Sequence, residues 1–154
     1  MYPSETKELE RRIGQVRALL GPNALHGASA AEIEAAERRL ARKVPDDARA
    51  LVTAFDGSTE PTPVEHGWVT FWPIERWSYI QYGSQVSESL RHGVVFADYS
   101  DESFRYVLNL GQTDRPSPVH LITGTVARDR LVTSSLSEFL QAILDDDECL
   151  YPRD

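Results

Sequence analysis

The stretch KVPDDARALVTAFDG, residues 43–57, restricts the fold more than any other part of the chain. An amphipathic helical pattern runs into it, Pro45 breaks that pattern, a second helical pattern starts at once, and Asp56-Gly57 stops the second. Proline cannot donate the hydrogen bond that a helix interior needs, but it suits a helix start, where that donor has no partner anyway. Asp46 and Asp47 fall in the same first turn, where the helix dipole favours negative charge. The break is thus a corner, predicted to fold a helix that buries Ala48, Leu51, Val52 and Phe55 back against the helix before it. Gly57 supplies the left-handed residue expected at the far end.

The neighbouring segments read as follows. Leu9, Ile13, Val16 and Leu20 share one face of a helix over residues 4–20, which Gly21-Pro22 stops. Ser29 to Glu32, SAAE, is a capping box that starts the next helix, with Ile33, Ala36, Glu37 and Leu40 on one side. After a loop containing Pro61 and Pro63, WVTFW at Trp68–Trp72 reads as a strand. Residues 73–92 suggest a short helix begun by Pro73. GVVFADY, FRYVLNL and SPVHLIT read as three more strands, ARDRLVT as a weaker one, and SLSE at Ser135–Glu138 as a second capping box opening the last helix. Helices before and after a run of adjacent strands indicate an α+β fold.

A chain of 154 residues is the size of one compact domain. The single cysteine, Cys149, allows no internal disulfide, residues 1–12 carry no apolar leader, and no segment is apolar enough to span a membrane. The cytoplasm is the expected address. The net charge of −8 resides entirely beyond Gly57, because residues 1–57 hold nine acidic and nine basic side chains. Such a field repels nucleic acid and membrane phosphates and suits a basic partner, although it also serves solubility.

With these elements in order, the sequence resembles the SUKH superfamily, in the branch related to the yeast cell-wall assembly regulator. The resemblance rests first on GASAAEIEAAERRLARKVPDDARALVTAFDG, in which Ile33, Glu37, Leu40, Pro45, Leu51, Phe55 and Gly57 match the family's leading motif. Val44 and Asp56 stand where leucine and asparagine are usual. FWPIERW, VVFADYSDESFRYVLNL and SPVHLI followed by VTSSLSEFLQAIL continue the match over roughly residues 5–145. It implies a single α+β domain, spanning residues 1–154, with a largely antiparallel central sheet packed against helices. It also implies an immunity protein that binds and neutralises a cognate toxin.

Nothing in the residues demands catalysis, a cofactor or a metal. His26, His66, His92 and His120 have no ligand spacing, and no nucleophile elbow or phosphate loop occurs. Candidate contact residues are Asp98, Tyr99, Asp101 and Glu102 in ADYSDES, expected at a solvated hairpin tip. Further candidates are the aromatics Trp77, Tyr79 and Tyr82 wherever exposed, and Asp145, Asp146 and Asp147 after the last helix. Trp68 and Trp72 belong to the same aromatic set, with Trp72 expected in the core. The acids after the last helix oppose its dipole, so either the helix ends before them or they serve a partner. Glu37, on an apolar helix side, is expected to tie that helix to backbone donors or an arginine near Pro45.

The leading functional expectation is therefore a non-enzymatic immunity protein whose acidic surface meets a basic toxin domain, a nuclease or deaminase. An intracellular scaffold or regulator is the second reading, and a hydrolase using Asp98, Asp101 or a histidine the third. A homodimer stays open, since sheet edges and aromatics serve self-association as well.

Overall fold

The computed structural model describes residues 3–81, 86–99, 101–123 and 128–152, with backbone alone for 101–103. Three helices come first: α1 (Pro3–Leu20), α2 (Ala30–Leu40) and α3 (Asp46–Ala54). The strands follow as β1 (Val69–Phe71), β2 (Ser78–Tyr79), β3 (Gly93–Tyr99), β4 (Asp101–Asn109), β5 (Val119–Thr123) and β6 (Arg128–Thr133), and α4 (Leu136–Leu144) comes after them. All pairings are antiparallel, in the order β1-β3-β4-β5-β6, with β2 alongside the start of β3. This is an α+β fold with an antiparallel sheet.

Each helix buries the stripe its spacing marks. Leu9, Ile13, Val16 and Leu20 of α1 and Ile33, Ala36, Glu37 and Leu40 of α2 are buried. Ser29 and Glu32 exchange both bonds of a capping box. The second box is half formed: Ser135 accepts from the Glu138 N–H, but the Glu138 carboxylate turns to Ser134 N and Oγ instead of closing on Ser135. Helices α1, α3 and α4 pack on one another. The aromatic centre is Phe139 of α4, edge-on to Phe96 of β3 at 5.7 Å and to Tyr106 of β4 at 4.9 Å between ring centroids. The Tyr106 hydroxyl donates to Leu150 O, which fastens the chain beyond α4 to the sheet.

The Pro45 corner differs from expectation in its packing. Helix α3 lies chiefly against α1 and α4, while α2 lies against the 3-10 turn Ile74–Arg76, so the corner turns the chain onto α1 instead of back along α2. Pro45 is the N-cap residue, and Ala41 ends α2 in the left-handed region at φ 58°. Helix α3 stops at Ala54 because Phe55 turns extended and points into the core, 1% exposed and edge-on to Phe71. Gly57, at φ 90°, comes three residues after the helix, where an added Cβ would sit 2.7 Å from Pro73 N. Residues 73–80 form the 3-10 turn and the short β2 in place of a helix.

Candidate functional site

Glu37 is 7% exposed and accepts from Val44 N at 2.8 Å and Arg49 Nη2 at 3.0 Å, so its charge spans the corner between α2 and α3. Asp47, expected only to complement the dipole of α3, is buried. It accepts from Ser117 N and Oγ, both at 2.7 Å, and from Ala48 N at 2.8 Å. Burial pushes its carboxyl above the usual aspartate range despite these donors. Both acids hold elements together.

Several expected contact residues prove internal. Asp98 is 6% exposed because β3 continues through Tyr99, which keeps Asp98 within the strand and not at a hairpin tip. Its Oδ2 accepts from the Trp72 indole N–H at 2.6 Å. Trp77 is 1% exposed, donates its indole N–H to Trp72 O at 3.0 Å, and packs near Phe96, so it belongs to the core. Tyr79 is exposed, but it pairs with Val94 at the opposite end of β3 from Tyr99, with its hydroxyl on Leu40 O. Tyr82 and the side chains of Asp101 and Glu102 lie outside the described residues. The backbone of Asp101 pairs opposite Tyr99.

At that hairpin end of the sheet the fold gathers a surface patch that no single segment encodes. Trp68, 45% exposed, meets Tyr99 edge-on at 6.5 Å, and Tyr99 meets Tyr151, 47% exposed, at 5.6 Å. His66 lies 6.4 Å from the Tyr151 ring. Asp146 stands in the left-handed turn after α4 at φ 51°, which aims its carboxylate at the chain before β1. There Oδ1 accepts from His66 N at 2.6 Å and Gly67 N at 3.3 Å, and the Asp146 carbonyl lies 3.2 Å from His66 Nδ1. The backbone N–H of His66 is the main influence holding the Asp146 carboxyl below the usual aspartate range. Burial, with Tyr151, Asp146 and Glu65 nearby, raises the Tyr99 phenol, so both carboxylates bear on the aromatic cluster.

The remaining acids are ordered into the same turn. Asp145 accepts from Gln141, and Asp147 caps the 3-10 turn Glu148–Leu150 by accepting from Cys149 N. The helix therefore ends before the acid run, which was one of the two expectations. Glu65, His66 and Asp146 place one potential ligand atom each within 4.8 Å of one another. Backbone donors already occupy the Asp146 oxygen, and His66 Nδ1 faces a carbonyl, so Asp146 and His66 work as a clasp between the turn and the loop. Sequence reasoning brought out Tyr99 and Asp146 here and counted Trp68 among the aromatics that serve as anchors where exposed, but it passed over Tyr151 and Glu65 and assigned no role to His66. Only the exposure of two large aromatics reveals the patch, and that is invisible before folding.

The histidines occupy separate places. His26 precedes α2, His92 precedes β3, and His120 lies half-buried in β5, 4.0 Å from Asp129 and with its pKa lowered by burial.

A sheet backed by helices, with an aromatic and acidic patch at its hairpin end, describes a small α+β domain that presents a surface. The chain belongs to the SMI1 / KNR4 family (SUKH-1), whose model matches residues 27–142. Comparison with curated proteins returns no match. SUKH domains are in general non-enzymatic proteins that bind partner proteins. Among the described residues no helix is long and apolar enough to cross a membrane.

Proposed function

We propose that the protein is a non-enzymatic immunity protein that binds and neutralises a cognate toxin domain, a nuclease or deaminase with a basic surface, in the cytoplasm. The observation that carries this reading is the patch of Trp68, Tyr99 and Tyr151 beside Glu65 and Asp146, on a domain of a family whose members bind proteins. Exposed tryptophan and tyrosine are the side chains on which binding energy concentrates, and surrounding carboxylates select a basic partner. We count Asp101, whose backbone pairs opposite Tyr99, and the adjoining Glu102 with the same binding surface.

Growth rescue tests the reading. The toxin domain encoded beside this gene is expressed alone, with the wild type, and with a Trp68→Ala variant. Rescue by the wild type and stable co-purification of the two proteins are expected. If no neighbouring open reading frame encodes a growth-arresting domain that this protein relieves, the reading falls. Co-purification with a constitutive host protein from toxin-free cells would instead support the scaffold reading, which the family's cell-wall-regulator branch makes the alternative.

A further inference from the structure

The patch has a chemistry more specific than acidic. We infer that it is a seat for a guanidinium group: one arginine of the bound protein lies on the aromatic surface formed by Trp68, Tyr99 and Tyr151 and pairs with the Glu65 carboxylate. This rests on the reading that the patch contacts a protein partner.

Three observations support it. First, Trp68 and Tyr151 are among the few large apolar side chains left about half exposed, and both stand edge-on to the same ring, Tyr99. Edge-on contact with Tyr99 occupies an edge or one face of each outer ring, so aromatic surface remains open to solvent. Second, the Glu65 carboxylate is exposed and has no hydrogen-bond or ion-pair partner among the described residues, whereas the neighbouring Asp146 is held by backbone donors. Asp146 fixes a negative charge in place and Glu65 is free to meet a cation. Third, the protein already seats one guanidinium on an indole. The Arg76 guanidinium lies 3.9 Å from the centre of the Trp72 ring, and the Trp72 N–H is held by the carboxylate of Asp98. There the indole carries a guanidinium on its face and a carboxylate at its N–H, whereas among the described residues no guanidinium lies over the Trp68, Tyr99 or Tyr151 ring and the nearby Arg130 is bonded to the carbonyls of Cys149 and Tyr151.

Arginine fits better than lysine. Its planar group stacks on an aromatic face while its N–H edge reaches a carboxylate, and it sheds water more readily than an ammonium. An anionic ligand is repelled by Glu65 and Asp146. A metal ion would compete with the backbone donors and the carbonyl that already engage Asp146 and His66.

The test needs no toxin. A blocked Gly-Arg-Gly peptide is titrated into the full-length protein while indole N–H signals are followed by NMR, with Trp68→Phe identifying the Trp68 signal. The Trp72 and Trp77 indoles are hydrogen-bonded inside and serve as internal controls of folding. The arginine peptide should shift the Trp68 signal saturably. The citrulline isostere, which keeps the plane and loses the charge, should bind several-fold more weakly, and so should the lysine peptide. Glu65→Gln should weaken the arginine peptide several-fold and leave the Trp72 and Trp77 signals in place. Equal binding of citrulline, shifts confined to residues away from the patch, or an unaffected Glu65→Gln variant would each overturn the inference. The two readings separate cleanly. Toxin rescue that survives Trp68→Ala, with no arginine-selective shift, removes the seat and leaves the immunity function. An arginine-selective shift without any toxin rescue does the reverse.

Discussion

Asp98 illustrates how a residue's role depends on where a strand ends. In the sequence it opens an acidic run that looks like a solvated turn, but it is the last residue but one of β3 and its carboxylate lies inside, against the Trp72 indole. A charge that accepts from a buried indole is retained for what it satisfies. Removing it strands the Trp72 N–H, which costs roughly 1–3 kcal/mol for a buried unsatisfied donor. Asp98→Ala should therefore lower the midpoint of urea unfolding clearly, while Asp98→Asn, which keeps an acceptor, should lower it less. Equal and negligible effects would mean that the carboxylate faces water. Glu37 shows the opposite outcome: its place on an apolar stripe already demanded partners, and Val44 N and Arg49 supply them. Trp77 and Tyr79 could not be separated in the sequence, because both follow the same proline and only the fold shows that Trp77, closing the 3-10 turn, lies inside while Tyr79, in the short β2, lies outside.

At the level of elements, helices and long strands were legible, since each follows its own period and carries its own caps. The turn at 74–76 and the two-residue β2 were not, because neither is long enough to show a period. The neighbours of α3 were also out of reach, as a corner fixes where a chain turns and not what it turns onto. The candidate patch lay further beyond reach, because it joins the chain before β1, the end of β3 and the turn after α4. One part of that junction, the Asp146 carboxylate, is acid-sensitive. The Asp146 carboxyl is held below its ordinary range, chiefly by the N–H of His66, so its stabilising effect is complete above about pH 4, the ordinary aspartate value, and is lost as pH falls through the lower folded value. Hydrogen exchange at the Gly67 amide should accelerate relative to core amides in that acidic window. Asp146→Asn should abolish this pH step, and a step that persists in the variant would assign it to another group.

At the scale of the whole molecule, the described basic and acidic side chains concentrate toward opposite ends of β3. Near the start of β3, Arg38, Arg42, Lys43 and Arg91 line adjoining surface hollows, and Gly111 N bonds Lys43 O at that end of β4. The other end of the same strands carries Glu65 and the acidic turn Asp145–Glu148, with Arg130 bonded to the carbonyls of Cys149 and Tyr151 and Arg105 paired opposite Asp98. Neutralising Asp101 and Glu102 together should slow association with a basic partner and flatten its salt dependence, with the melting temperature nearly unchanged. An unchanged rate at low salt would show that these two acids play no part in steering. Separated poles do more than a uniform negative charge of the same size. A uniform charge draws a basic partner in without preferring any orientation, whereas a molecule with unlike ends experiences a torque. It rotates in the partner's field before contact, so much of the orientational search is complete when the surfaces meet.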